Sequence, residues 1–479
     1  DSCDVSEKTL VHILKCCRNL KSLNLTACRE CFMSGRLLDD ENDVKDITTN
    51  MKSLVELGLS ANTYLSDALF NRLVSICPNL QSLCLNECNI SFHLGLYKKF
   101  YPAKNARNQA SESVLTFFNI LEYLKKQASK LKHLSFESTG MDSTSLANLT
   151  SIDELKLESL LLRGCAQLTN PGLRTLANQR SLKLLDLALC NRVTDTSLLG
   201  ICRNLDNLEV LNVEKCRAIT NEGVSQIRYL KKLRHLNISY CDNLTGVCIT
   251  EGLCRQSTSC NNSSIEEDDN FEIENLNPNS QSKKDELINQ DIFNKQLTVL
   301  SARALNLDER AIDCIAESFR NLRILDIGHC FNAVTDKTIQ KIFKNLINLT
   351  CLKINGCNKV SDAGITGMSA DTRADITLFE PLIRINKSQE SGSKLRISLG
   401  SRAEEEIVRD AERKREVMKM CEETSTPLDF DIAPGYSLMR LRHLNELNLA
   451  GCNRVTDVSL KYAFKFLDLR TLNLSMCQQ

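Results

Sequence analysis

Residues 157–165 read Leu-Glu-Ser-Leu-Leu-Leu-Arg-Gly-Cys, and three further copies of the same frame follow. They are Leu-Lys-Leu-Leu-Asp-Leu-Ala-Leu-Cys at 182–190, Leu-Glu-Val-Leu-Asn-Val-Glu-Lys-Cys at 208–216 and Leu-Arg-His-Leu-Asn-Ile-Ser-Tyr-Cys at 233–241. From Cys165 to Cys190, Cys216 and Cys241 the steps are 25, 26 and 25 residues. Alternating residues of a strand point to opposite faces, so Leu160 and Leu162 enter a core while Ser159, Leu161 and Arg163 face outward.

Outward from this run, thirteen copies of the frame lie along the 479 residues, ten of them ending in Cys: Cys28, Cys88, Cys165, Cys190, Cys216, Cys241, Cys330, Cys357, Cys452 and Cys477. Asn62, Thr139 and Leu305 stand at that position in the other three. A period near 25 with this consensus is that of a leucine-rich repeat, one short strand and one returning helix per unit. The expected fold is therefore an α/β leucine-rich-repeat solenoid of about 13 repeats over 1–479, a horseshoe with a parallel concave sheet and outer helices. Strands are expected at 22–26, 82–86, 159–163, 184–188, 210–214, 235–239, 324–328, 351–355, 446–450 and 471–475.

After the strand come Val193-Thr194-Asp195, Val334-Thr335-Asp336, Val360-Ser361-Asp362 and Val455-Thr456-Asp457. The Thr/Ser-Asp pair after the buried β-branched residue supplies N-cap oxygens to a helix start, and Leu198 with Ile201, or Leu460 with Phe464, are then expected inward. Leu10, Ile13 and Leu14 read as the inward face of a helix preceding the first strand. The repeat cysteines are read as core residues, small and weakly hydrogen-bonding, and Cys16-Cys17 as helix-face packing.

Composition narrows the function. Lys+Arg and Asp+Glu each number 60, so overall charge supports neither a dominant nucleic-acid surface nor a polybasic membrane anchor. Aromatics are 5% and Trp is absent, which makes the core aliphatic. The 23 cysteines are odd in number, the first residues show no positively charged start leading into an apolar stretch, and no apolar run approaches ~18 residues. Reduced thiols in cytoplasm or nucleus are expected; sequons such as Asn237-Ile238-Ser239 lie inside strands, where a glycan would block the sheet. Cys248, Cys254 and Cys260 lack metal-ligand spacing and no His lies near them, so no metal or other cofactor is expected. Catalytic signatures for hydrolases, metalloproteases and phosphate loops are absent from the sequence, and the chain is read as non-catalytic.

The cysteine-plus-Thr-Asp repeat resembles that of F-box/leucine-rich-repeat proteins. The resemblance implies a substrate receptor of an SCF-type cullin–RING ubiquitin ligase: repeats that hold a protein target, and an F-box that docks on the adaptor and cullin. F-boxes open with Leu-Pro, and none of the seven prolines here follows a Leu. The chain starts inside a repeat and ends at Gln479 just after a strand, so a fragment without the F-box is expected. A ligase-independent scaffold, or a cytosolic inhibitor-type binding protein, is the alternative.

The partner surface is expected on the outward strand residues, rich in Asn and Asp and flanked by Arg163, Glu214, Arg303 and Asn355. Arg163, Asp186, Asn212, Glu214, His235 and Asn237, on the uninterrupted run, are the candidate contacts; His133 shares the repeat position of His235. Such a polar face suits a protein or peptide better than an apolar small molecule. Three stretches break the period. Residues 90–130 read as an insertion or a degenerate repeat, with a helix around Val114–Leu124. Residues 250–296 read as an acidic disordered insertion, with Glu266, Glu267, Asp268 and Asp269. Residues 366–440 read as a charged insertion with a helix over 403–420.

Overall fold

The computed structural model describes residues 5–93, 110–254, 296–367, 436–464 and 466–477. The acidic run at 266–269, Cys260 and the helix expected over 403–420 lie outside the described residues. The chain divides into two compact units, residues 1–243 and 244–479. In the first unit, strands β1 (Ser22–Asn24), β2 (Glu56–Gly58), β3 (Ser82–Cys84), β6 (His133–Ser135), β7 (Ser159–Leu161), β8 (Leu184–Asp186), β9 (Val210–Asn212) and β10 (His235–Asn237) pair in parallel, each with the next. The second unit repeats the plan with β11 (Val299–Ser301), β12 (Ile324–Asp326), β13 (Cys351–Lys353), β14 (Glu446–Asn448) and β15 (Thr471–Asn473). Register is set by the repeat itself, and the middle leucines stand opposite one another: Leu83, Leu134, Leu160, Leu185, Leu211 and Leu236 in one column. Among the described residues each unit is thus a leucine-rich-repeat solenoid with returning helices, its parallel strands numbering eight in the first unit and five in the second.

Each strand holds three residues rather than the five expected. Two residues after the third apolar residue of the frame, the backbone turns left-handed: Ala27, Ala61, Glu87, Ser138, Gly164, Leu189, Lys215, Tyr240, Ala304, His329, Gly356, Gly451 and Met476 all have φ between 53° and 78°. Only three of these thirteen are glycine, although a left-handed L-residue costs about 1 kcal/mol or more. A second backbone ladder holds the turn in place. The amide of Ala27 donates to the Ser60 carbonyl of the next repeat (2.9 Å), Gly164 to Ala188 (2.8 Å), Lys215 to Ser239 (2.9 Å) and His329 to Asn355 (2.7 Å).

The repeat cysteine follows this turn and bonds backward. Sγ of Cys165 donates to the Phe136 carbonyl (3.2 Å), Cys190 to Leu162 (3.2 Å), Cys216 to Leu187 (3.1 Å) and Cys241 to Val213 (3.2 Å). Cys330 and Cys452 do the same to Ala302 and Ile354, at 3.3 Å each. Asn62 replaces the thiol with an amide that donates to both Leu25 and Leu59 carbonyls, 2.8 Å each. All the described cysteines are free thiols. Burial pushes those of Cys190 and Cys241 up to about 12.

Between helices the Thr/Ser-Asp pair does more than cap. Thr335, Ser361 and Thr456 accept from amides of their own helices. The following Asp reaches the cap of the next repeat: Asp195 accepts from Thr220 N (2.8 Å) and Oγ1 (2.6 Å), and Asp362 from Thr456 N (2.9 Å) and Oγ1 (2.6 Å). Thr194 is the exception. It makes no cap bond and donates to Asn170 Oδ1 at 3.1 Å. Space for the clamp requires glycine; a Cβ at Gly223 would stand 2.2 Å from Asp195 Oδ1, and one at Gly364 2.2 Å from Asp336 Oδ1.

Some expected packing differs. In helix Asp195–Asn204, Leu198 and Ile201 are buried, but in helix Asp457–Ala463 the buried positions are Val458, Ser459 and Ala463. Leu460 and Phe464 are half-buried. Leu10 and Leu14 of helix Glu7–Cys16 are buried while Ile13 is 39% exposed. Cys16 and Cys17 are exposed, not packed: Cys16 lies two residues beyond Leu14, on the opposite side of the helix. Within 90–130, β4 (Ile90–Ser91) pairs with β5 (Leu115–Thr116), and helix Phe117–Lys126 closes the repeat begun at β3. Because β3 pairs directly with β6, this stretch adds no rung to the ladder.

Candidate functional site: the outward face of the sheet

The last residue of each strand points away from the leucine core, and in seven repeats it is Asn or Asp: Asn24, Asp186, Asn212, Asn237, Asp326, Asn448 and Asn473. In all seven the side-chain oxygen accepts the amide two residues on, for example Ala188 N to Asp186 Oδ1 (2.8 Å), Glu214 N to Asn212 Oδ1 (3.1 Å) and Ser239 N to Asn237 Oδ1 (3.1 Å). These are Asx turns, and they lead the chain out of the strand into its left-handed residue. The fully outward placement expected for this row is therefore corrected. Asp186, Asn212 and Asn237 are half-buried, with one oxygen each committed to the fold.

The candidate contacts nevertheless come together. Asn212 Nδ2 donates to Asp186 Oδ2 (2.9 Å), and Asn237 Nδ2 donates to Glu214 Oε2 (3.4 Å). Arg163 Nη1 reaches the same Glu214 oxygen (3.4 Å) across the intervening repeat, where Ala188 is 0% exposed beneath the pair. Lys215 Nζ lies 3.9 Å from Glu214 Oε1 and 5.1 Å from the centre of the Tyr240 ring. His235 is exposed and makes no bond in this network; burial, then Arg234, holds its imidazole below the ordinary value.

Glu137 completes the group and was not singled out in the sequence, because its repeat ends in Thr139 instead of Cys. It occupies the same repeat offset as Arg163 and Glu214, and alignment of offsets finds it. Burial raises the Glu137 carboxyl, with repulsion from Asp186 adding to it and Arg163 opposing. Burial likewise raises Asp186, against its hydrogen bonds from Ala188 and Asn212.

The row preceding the strands is self-paired. Glu158 takes Lys183 (2.7 Å) and Lys132 (3.0 Å), and these two ammonium groups pull its carboxyl down to about 2. In the second unit, Arg303 Nη2 (3.0 Å) and Asn355 Nδ2 (2.9 Å) both approach His329 Nε2. Arginine can only donate, so Nε2 accepts and the ring proton lies on Nδ1. Lys353 pairs with Glu446 at 2.9 Å. His329, at the left-handed position, was not visible in the sequence as a hub. Off the sheet face, Phe92, Phe117, Leu121, Asp142, Ser145 and Asn148 border a cavity of about 230 Å³.

Among the described residues no group of three or more His, Cys, Asp or Glu is placed to hold a metal, and no helix is long and apolar enough to cross a membrane.

The Leucine Rich repeat family model matches residues 205–227 and 440–462. The chain is similar to F-box/LRR-repeat protein 4 of Bos taurus, 27% identical over 188 residues, covering 36% of this chain and 29% of that protein. It is also similar to a Caenorhabditis elegans protein whose name marks it as RNA-binding, EEED8.10, 27% identical over 243 residues, covering 44% of this chain and 33% of that one. The chain thus spans about a third of the length of these relatives. Among solved structures it is similar to the yeast Rad7–Elc1 complex, with TM-score 0.47 and 18% identity over 75% of this chain and 76% of that chain.

Proposed function

We propose that this chain is a non-catalytic recognition arm, holding a protein target on the outward sheet face of its first unit, in an SCF-type cullin–RING ubiquitin ligase. The observation that carries the binding reading is the network joining Arg163, Asp186, Asn212, Glu214 and Asn237 across β7 to β10. Side chains already held by one another lose little freedom when a partner arrives. The ligase reading leans on the repeat's resemblance and on the name of one relative, F-box/LRR-repeat protein 4. The RNA-binding reading suggested by the other relative is opposed by Glu137, Asp186 and Glu214 on this face, which would repel phosphates.

Affinity capture tests both parts. The complete gene product should recover a target together with adaptor and cullin, while residues 1–479 should recover the target alone. Charge reversals at Arg163 and Glu214 should reduce target recovery without unfolding the chain. A target recovered by the complete protein without adaptor or cullin replaces the ligase reading with that of a scaffold or inhibitor-type binding protein.

A further inference from the structure

The first unit's face has an uneven inventory of donors and acceptors. Its cationic and amide donors are engaged: Arg163 and Asn237 on Glu214, Asn212 on Asp186, and Lys215 beside Glu214. The carboxylates are unevenly served: Asp186 takes only the neutral donors Ala188 N and Asn212 Nδ2, and the Glu137 side chain takes none among the described residues. Both cations attend one carboxylate, and among the described residues neither Glu137 nor Asp186 has a cation within ion-pair distance. Between them lie Arg163, paired with Glu214, and Leu161, the last residue of β7 and an outward-pointing, half-buried leucine in a row otherwise dominated by polar residues. In register Leu161 faces Ser135 on one side and Asp186 on the other; Glu137 stands two residues beyond Ser135 on the same face.

An apolar floor between two acceptors has the chemistry of a slot for a long cationic side chain. The methylenes of lysine or arginine cover apolar surface while the charged head stays with oxygen acceptors, and both heads only donate. A glutamate-bearing segment would meet two like charges, and an apolar one would desolvate the Glu137 carboxylate without a donor. On the reading that this face is the target surface, we propose that it docks a polypeptide segment presenting a lysine or arginine, with its stem on Leu161 and its cation between Glu137 and Asp186.

Fluorescence anisotropy with labelled short peptides of neutral sequence, carrying a central Arg, Lys, norleucine or Glu, tests this on the full chain. The Arg and Lys peptides should bind, and the norleucine and Glu peptides should bind at least about tenfold more weakly. Glu137→Gln with Asp186→Asn should erase that preference. Glu137→Gln alone, whose side chain makes no hydrogen bond to other described residues, should weaken Arg and Lys binding with an unchanged melting curve, and Glu222→Gln on a helix should change nothing. Equal binding of all four peptides, a preference for Glu, or basic peptides indifferent to Glu137→Gln overturns the inference. If a captured target is lost on charge reversal at Arg163 but binds through a segment with no basic residue, the slot falls while the face reading stands. If neither peptides nor target respond to any variant on this face, both fall.

Discussion

Replacing Asp362 by alanine should uncouple the repeat at 452–464 from the one before it. The carboxylate accepts from the amides of Thr456 (2.9 Å) and Ser459 (3.2 Å) and from both of their hydroxyls, across a separation of 94 to 97 residues. In Asp362→Ala the two hydroxyls can turn elsewhere, and Thr456 Oγ1 still caps Val458 N at 3.2 Å. The two amides cannot. Charge-assisted hydrogen bonds contribute about 1.5–3 kcal/mol each, so the expected loss for the two amides is about 3–6 kcal/mol. Asp362→Asn keeps one oxygen for the amides and should cost about 1–2 kcal/mol, since Asn170 already fills this role for Thr194 and Ser197. Urea unfolding gives the magnitude, and hydrogen exchange at the amides of helix Asp457–Ala463 locates it. A loss below about 1 kcal/mol for the alanine variant, or equal losses for Ala and Asn, would refute the clamp as a coupling element.

Three further outcomes are expected. With a thiol reagent at pH 8, exposed Cys16 and Cys17 should react at once, while Cys165, Cys190, Cys216 and Cys241 should stay silent until the chain unfolds; fast native labelling of any of the four contradicts their burial. Leu211→Ala should cost about 2–5 kcal/mol as a core cavity. Asn212→Ala, which loses the Glu214 turn bond and the Asp186 contact, should cost about 1–2 kcal/mol rather than being neutral, and denaturation midpoints of the two variants decide it. Asp186 has its pKa raised by burial, so the folded state holds its proton more tightly than the unfolded state. Stability should fall as pH rises from the ordinary carboxylate value near 3.9 through the raised one. Asp186→Asn should flatten that slope in pH-dependent urea midpoints, and a steeper slope would reverse the assignment.

The leucine frame was legible because a core position tolerates little else: Leu160, Leu185, Leu211 and Leu236 follow from period alone. The strand ends were not, because the left-handed turn is occupied by residues as unlike as Leu189, Lys215, Tyr240 and His329, which carry no glycine signal. Asp195 and Asp362 read as cap residues, yet their bonds go to another repeat, a relation that no local window contains. Thr220-Asn221-Glu222-Gly223 and Ser361-Asp362-Ala363-Gly364 did carry the clue, since glycine at that helix position has no local reason. Of the candidate face, Arg163, Asp186, Asn212, Glu214 and Asn237 were placed together by strand alternation, and their side chains do contact one another. His235 stands outside their network, and Glu137 was hidden by an irregular repeat.

The Asx turns limit how such a surface diversifies. Where Asn or Asp closes the exit from a strand, substitution there trades against folding, so that letter is not free to vary. On the proposed target surface, retargeting must then be written in the flanking letters, at offsets such as those of His235 and Glu214, set about 4.8 Å apart from strand to strand. Repeats whose strand does not end in Asn or Asp, those of Leu161 and Lys353 among them, have a third free letter. A lineage or a library that seeks new specificity on this scaffold should vary those repeats first.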